Sequence, residues 1–473
     1  MTASSKSSYA AISLVAAAVV LLEITVTRIL SVVVWYHGAF FSISLAMLGI
    51  SAPGVYLSLA RPRPWLLPNS LLAATCLIPA GIVGIIRASS YFGPSPIVFC
   101  MLCVLPAMLA LGMSLCHLLL SAGGLAIGRM YAFDLLGACT GALLVIPLLW
   151  ALPTPQLAGM LAVLPLGAYL LVGGSRRVAA VAAVALVALL LWGKPFWLRH
   201  TKTYAETEPQ TTPIYERWTP TARLTVFDHI LFARRKTGFG WGVGERAAPV
   251  SPPAQYWLEQ DGSAGSPLTR FDGDLARVSY LWHDVTTVGY QLRPPATVAI
   301  VGAGGGRDIL VALLAGATHI DAIELNAGIV DALRGPFADF AGRIYDRPGV
   351  VARIGEGRSV LTRSNRTYDL IQISLTDSWA ATAAGGYTLA ENSLYTLEAY
   401  RLYYSRLSPQ GMVSTTRWML GGFGLEVPRL LLLVKAALEA EGVSSPLDHI
   451  AMLQGDAVGT VLMSRAPLNP DEL

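Results

Sequence analysis

"VAIVGAGGGRDILVALLAGATHIDAIELN", residues 298–326, decides how the rest of the chain is read. An apolar run closing on Gly302 has the signature of a buried strand. Glycines at 302 and 304–306 form a turn, the following apolar spacing predicts a helix, and a second strand ends on Glu324. Glycine in such a turn lets the backbone pass close to a ligand. An acid at the tip of the second strand is placed to accept hydrogen bonds from both hydroxyls of a ribose. The turn by itself fits either a dinucleotide or an adenosyl sulfonium.

The alternation continues downstream. Strands are predicted at 297–302, 319–324, 350–354 and 368–374, and helices at 306–315, 327–340 and 357–363. A helix at 391–407, a strand at 411–416, a helix at 424–441 and strands near 447–453 and 457–464 complete the series. Strands alternating with helices give a parallel sheet covered on both faces, and the last two strands, lacking a helix between them, predict an antiparallel end. Upstream, a polar connector (195–220) leads to an alternating stretch (223–235), a glycine-rich loop (237–246) and a hairpin-like stretch (256–274). Together these predict a small β-domain, followed by a helix at about 274–291.

Two features separate the cofactor candidates. Arg307-Asp308 follows the glycines, where a dinucleotide site would keep a small uncharged helix start facing the pyrophosphate. Asp308 suits an ammonium group instead. Gly355-Glu356-Gly357-Arg358 then ends the third strand, well placed to flank an adenine. The expected cofactor is S-adenosylmethionine or its decarboxylated form, contacted by Gly302, Gly304, Gly306, Asp308, Glu324, Glu356 and Gly357, with Asp261 of the hairpin stretch. His229 and His319 lack metal-ligand spacing, and no metal site is expected.

The first part of the chain has a different character. The 473 residues exceed one ordinary domain and are 54% hydrophobic but only 14% charged, with a mean hydropathy of +0.54; soluble domains carry roughly 25% charged residues. Residues 1–194 hold 9 of the 34 Lys and Arg and 2 of the 30 Asp and Glu. The remainder has an ordinary soluble composition and no basic surplus for nucleic acid. Seven apolar runs, about 9–35, 39–60, 65–86, 95–121, 131–152, 157–173 and 178–193, approach the ~20 residues that cross a bilayer. The first is too long for a signal peptide and is interrupted by Glu23 and Arg28. Those two lie about 140° apart on a helix, so each is expected to pair with another span. All five cysteines lie in this part, and Cys100 and Cys103, spaced as CxxC on an apolar helix, are read as packing. The division expected is a bundle (1–194), a connector with a small β-domain (195–290) and a Rossmann-like domain (291–473).

Arg61, Arg63, Arg129, Arg176 and Arg177 fall in the even-numbered loops. Seven spans and the positive-inside rule would put the C-terminal domain outside the cytoplasm. An adenosyl cofactor is a cytosolic metabolite, and the location expected is the bacterial inner membrane with the soluble domain cytoplasmic.

The motifs "VAIVGAGGGRD", "IELN", "GEGRS", "YDLIQISLTDSW" and "LYTLEAYRLYYSRLSPQGM" resemble the spermidine synthase (polyamine aminopropyltransferase) family in its membrane-fused bacterial form. The resemblance covers about 255–420, and "LLEITVTRIL" and "GRMYAFDLLGACTGALL" are similar to the bundle of that form. It implies an α-helical transmembrane bundle followed by a small β-domain and an α/β Rossmann-like S-adenosylmethionine-dependent transferase domain. The family's acid-Ser-Ser-acid pattern after the fourth strand is altered: Ser374 stands at the first acid and Asp377 keeps the second. Its Tyr-His-Glu reads here as Tyr280-Leu281-Trp282. A diamine needs carboxylates to pair its ammonium groups, so putrescine is not the expected acceptor.

The loop 374–392 is expected to hang over the pocket, with Asp377 as base or orienter and Ser374, Tyr387 and Tyr280 as further catalytic candidates. His283 and Asp284 are read as structural. The activity expected is a membrane-anchored transfer from the sulfonium to a small-molecule or membrane-derived acceptor. It would release methylthioadenosine if a three-carbon arm moves, and S-adenosylhomocysteine if methyl moves. The alternatives are a methyltransferase on a hydrophobic acceptor, or a transporter whose soluble domain senses the cofactor or modifies the solute. The lipid bilayer is the expected partner, nucleic acid is not, and a homodimer is compatible.

Overall fold

The computed structural model describes residues 5–34, 36–60, 63–91, 97–122, 126–198, 201, 212–228, 240, 242–243, 252–262, 264–376, 393–419, 425–455 and 457–472. The apolar runs fold into eight helices: α1 (Ser5–Val33), α2 (Tyr36–Leu59), α3 (Leu66–Tyr91), α4 (Ile97–Leu120), α5 (Ala126–Ala151), α6 (Thr154–Met160), α7 (Val163–Leu171) and α8 (Arg176–Trp192). Six stretches are long and apolar enough to cross a membrane by length and composition, the sixth being Thr154–Leu171, formed by α6 and α7. The seventh expected run, α8, has 17 residues, about 26 Å at 1.5 Å per residue.

α1 is the centre of the bundle. Its apolar residues, among them Ile12, Leu22 and Ile29, are buried. Polar side chains inside the bundle bond each other or the helix backbone: Thr27 bonds Ser42, Ser70 lies 2.8 Å from Ser114, and Thr25 bonds the Leu21 carbonyl. Such pairing removes the cost of burying a hydroxyl away from water.

α1 and α5 run side by side in one direction. Tyr9 stacks on Phe133 at their first ends. At their last ends Arg28 meets Asp261 and Trp150 meets Arg217, both partners coming from the chain after the bundle. Five basic residues thus lie at the end away from the sheets, Lys6 and Arg129 at the starts of α1 and α5, Arg63 after α2, and Arg176 and Arg177 at the start of α8, while Lys194, after α8, lies at the sheet end.

Two sheets follow. The first is antiparallel, in the order β1 (Tyr215–Trp218), β2 (Arg223–Phe227), β3 (Gln255–Gln260) and β4 (Ala264–Thr269). It is rooted in the bundle, because Trp218, Phe196 and Leu198 belong to the bundle's apolar cluster and Arg223 donates to the Leu198 carbonyl at 3.0 Å.

The second sheet contains β5 (Thr297–Val301), β6 (His319–Glu324), β7 (Val350–Ile354), β8 (Tyr368–Ser374), β9 (Leu407–Trp418), β10 (Ile450–Gln454) and β11 (Val458–Ser464), in the spatial order β10-β11-β9-β8-β5-β6-β7. Strands β5 to β9 pair in parallel, while β11 is antiparallel to both β9 and β10. This is the Rossmann-like α/β arrangement, with the antiparallel end that the sequence predicts. Its crossover helices are α10 (Arg307–Leu314), α11 (Ala327–Arg334), α12 (Gly357–Arg363), α13 (Leu397–Ser405) and α14 (Glu426–Ala440). Asn326, Glu356 and Thr396 cap α11, α12 and α13 through side-chain acceptors, satisfying first-turn N–H groups.

Two expectations change. The single helix expected at 274–291 is broken into 3-10 turns at Leu275–His283 and Val285–Thr287 and the short α9 (Val288–Leu292). The break is at Asp284, whose backbone is extended and whose carboxylate accepts from the Thr286 N–H, an alternative to the helical ladder that aspartate readily offers.

The other correction concerns Arg28 and Asp261. Arg28 does not pair with another span. It is 1% exposed and grips Asp261 at the β3–β4 hairpin with two contacts of 3.2 Å. Asp261, expected to contact the cofactor, is fully buried in that ion pair, and its Oδ1 also accepts from the Arg223 N–H at 2.7 Å. Its left-handed backbone (φ 49°) closes the hairpin, a conformation aspartate tolerates better than most residues.

Removing one partner of a buried pair strands the other charge, at a cost of about 3–5 kcal/mol. Arg28→Met is therefore expected to lower the unfolding midpoint of the detergent-solubilised full chain clearly. Arg28→Met with Asp261→Asn, which keeps the acceptor for Arg223, should recover most of the loss in a double-mutant cycle. Additive losses would show that the pair is not coupled.

Candidate cofactor cleft

The chain leaves β5 toward β6 on one side and β8 toward β9 on the other, so the sheet opens at their C-terminal ends. A cleft of about 470 Å³ lies there, bordered by Val301, Glu324, Gly355 and Ser374 from the ends of β5 to β8 and by Ser266 of the hairpin. That volume falls within the roughly 300–1,000 Å³ usual for small-molecule sites.

The glycine turn is shaped by close approach. Gly302 has φ +78°, and a Cβ there would stand 2.7 Å from the Thr376 hydroxyl oxygen. A Cβ on Gly305 would stand 2.4 Å from the Pro267 carbonyl oxygen. The turn is packed directly on the hairpin, and the Gly305 N–H donates to Ser266 Oγ at 3.0 Å. Gly304 lines the cleft and is held by the Tyr345 hydroxyl on its carbonyl at 2.8 Å; Gly306 starts α10 outside the lining.

Glu324 is 5% exposed and borders the cleft. Its Oε2 accepts from the Gly304 N–H and its Oε1 from the Asn326 N–H, both at 2.9 Å. A backbone hydrogen bond from Leu325 also reaches the carboxylate, and with about four acceptor sites in all, capacity remains for a hydroxyl group on the cleft side. That demand for a donor matches a ribose hydroxyl beside a glycine turn. Burial pushes the Glu324 carboxyl above its ordinary range, against the hydrogen bonds from Asn326 and Gly304. Asn326 also donates to Gln260 at 2.9 Å, tying the hairpin to the Glu324 end of the cleft.

Glu356 and Gly357 border the cleft at the start of α12. The Glu356 oxygens already accept from the Arg358 and Ser359 N–H groups and the Ser393 hydroxyl. Burial acts to raise its carboxyl, but these bonds outweigh it and hold the group below its ordinary range.

At the far end Asp308 meets Arg307 and Asp284, and Asp284, read from the sequence as structural, borders the cleft. Arg307 Nη2 lies 2.7 Å from Asp284 Oδ2, while Nη1 lies 3.3 Å from Asp308 Oδ1 and donates to Thr286 Oγ1 at 3.0 Å. Asp284, Arg307 and Asp308 all border the cleft. Ser374 hydrogen-bonds Asp308 and accepts from Gln372 at 2.6 Å, which makes it a bridge holding Asp308 in place. Burial raises the Asp308 carboxyl, against the lowering effect of Arg307.

Tyr280 lies apart from the cleft, fully buried with its hydroxyl 2.8 Å from Gln255. It belongs to the packing under the small sheet and not to the site. The acid that faces the cleft from this segment is Asp284, against which Gly240 and Gly242 of the glycine-rich stretch pack. The signal for it was available in the aspartate itself, a residue that interrupts helices as readily as it caps them. Asp377 and Tyr387 lie outside the described residues.

No family model matches the chain. Among solved structures, it is similar to a spermidine synthase in complex with the transition-state analogue AdoDATO, at 14% identity over 56% of this chain and 79% of that one, with a TM-score of 0.35. It is also similar to spermidine synthase from Thermotoga maritima (14%, 55% and 74%, TM-score 0.35) and to a probable spermidine synthase from Corynebacterium glutamicum (11%, 55% and 81%, TM-score 0.36). Likeness at this level says nothing of what the chain binds or transfers.

The raised carboxyl of Glu324 has opposite consequences for stability and binding. Its buried charge opposes folding above its folded pKa, and that opposition is relieved as pH falls. A ribose held at Glu324 would need the charged acceptor, and affinity for an adenosine compound is then expected to drop on acidification at a higher pH than an exposed glutamate would give. Calorimetric titrations across pH test this, and Glu324→Gln should flatten the profile. A wild-type affinity independent of pH down to the range of an exposed glutamate would contradict it.

Proposed function

We propose that this chain is a membrane-anchored transferase that uses an adenosyl sulfonium, S-adenosylmethionine or its decarboxylated form, to alkylate a small-molecule or membrane-derived acceptor. The observation that carries the reading is Glu324: a buried carboxylate at the end of β6, bound to the glycine turn, with acceptor capacity left on the cleft side. When bound, the sulfonium supplies an alkyl carbon whose bond to sulfur breaks with the electron pair passing to sulfur, leaving a neutral thioether.

The chain's own residues would bind and orient. Glu324 and the turn would hold the ribose, and α12 with Glu356 would border the adenine. The polar cluster at Asp284, Arg307 and Asp308 would hold the charged tail. Positioning of this kind supplies much of the acceleration in a displacement that needs only one proton removed from the nucleophile. The cluster contains two carboxylates, but both are engaged by Arg307. Arg307 touches Asp308 only through Oδ1, so this one acid can still take an ammonium group where a diamine would need two, and that supports another acceptor.

The bundle supports a bilayer location by the length and composition of its helices. Supply of the nucleoside supports a cytoplasmic site, against the basic residues gathered at the opposite end. A C-terminal reporter active only in the cytoplasm should be active; an inactive one, with its counterpart active outside, would overturn that orientation.

Purified full chain incubated with each sulfonium and candidate acceptors should form methylthioadenosine or S-adenosylhomocysteine, identified by mass spectrometry of the nucleoside product. Glu324→Ala should lose the product together with binding. Failure of the wild-type chain to bind any adenosyl compound would overturn the proposal.

A further inference from the structure

The tail end of the cleft has a charge pattern that discriminates between the two sulfoniums. Arg307 is the first residue of α10, directly after the glycine turn, and its side chain is 12% exposed. Asp284 and Asp308 lie on either side of its guanidinium. Arg307 Nη1 is satisfied by Thr286, whereas Nε has no hydrogen-bond acceptor among the described residues, and Nη2 touches Asp284 without a well-directed hydrogen bond. Arg307 borders the cleft with two of its buried donors unfilled, and its positive charge there is what a ligand carboxylate can answer.

We propose that Arg307 is a specificity-determining residue that receives the α-carboxylate of S-adenosylmethionine, and that the cleft therefore selects the carboxylated cofactor over the decarboxylated one. The inference rests on the adenosyl reading of the site given above. Two aspartates and one arginine sum to a single negative charge. S-adenosylmethionine carries a sulfonium, an ammonium and a carboxylate, a net of one positive charge, and its binding closes the balance. The decarboxylated form carries two positive charges and no acceptor. It would leave one positive charge uncompensated and set a second cation beside the guanidinium.

The tail ammonium then falls to Asp308, which Ser374 and Gln372 hold in position. Asp284 keeps the guanidinium aimed, since its other oxygen is occupied by the Thr286 N–H at 3.0 Å. A three-carbon arm donated from this site would keep its carboxylate, so the product would be a carboxylated adduct and not an aminopropyl one.

Calorimetry on the full chain in detergent with three ligands tests this: S-adenosylmethionine, decarboxylated S-adenosylmethionine, and methylthioadenosine, which has no charged tail. The wild-type chain should prefer the carboxylated sulfonium by roughly 10- to 100-fold, the size of one charge-assisted contact. Arg307→Met leaves two aspartates and no guanidinium, so by the same charge count it should turn the preference toward the decarboxylated sulfonium, and Arg307→Lys should retain part of the wild-type preference. The wild-type comparison stands without any variant. Equal affinity, or preference for the decarboxylated ligand, would overturn the proposal while leaving the adenosyl reading intact. Absence of binding by all three, methylthioadenosine included, would overturn both.

Discussion

One buried carboxylate joins the parts of this cleft. Glu324 ends β6, takes the Gly304 N–H from the turn after β5, and takes the Asn326 N–H at the start of α11. It thereby sets the spacing between the first two strands' tips, where backbone groups would otherwise be left without partners. Burying a charged group there is costly, and the backbone donors of Gly304, Leu325 and Asn326 offset part of that cost. Everything else at this end of the sheet is arranged around those bonds: Tyr345 steadies the far side of the turn, and Asn326 passes the constraint to Gln260.

Gln260 is adjacent to Asp261, and that adjacency connects cleft and bundle. The hairpin that walls the cleft is held on one side by Ser266 and Gln260 against the Rossmann-like sheet, and at its tip by Arg28 of the first helix. A buried, two-contact arginine–aspartate pair holds orientation more strictly than apolar packing alone, because the planar guanidinium accepts a carboxylate in few geometries. The bundle and the cleft thus both contact the same hairpin.

The opposite end of the cleft follows a different rule. Asp284, Arg307 and Asp308 come from a broken helix and from the start of α10, and they are buried together because each neutralises another. Three charges in a dry setting are tolerable only as a network with its hydrogen bonds made, and Thr286, Ser374 and Gln372 make most of them. The donors left open on Arg307 mark where that network is incomplete.

The sequence by itself determined the succession of apolar helices, the alternating strands and helices after residue 297, the antiparallel close of the sheet, and the glycine turn with its acid. Those features are written in local periodicity and in residues whose backbone preferences act over a few positions, so they are legible without a partner. Only the tertiary structure decided where the charged side chains end up. Arg28 and Asp261 are 233 positions apart, and nothing in either neighbourhood announces the other; Asp261 was thereby removed from the cleft. Asp284 borders the cleft from a break between two 3-10 turns, and Tyr280, within the first of them, is buried in the packing beneath the small sheet. A buried charge is placed by whichever opposite charge the fold brings within reach, and that reach is a property of the assembled chain.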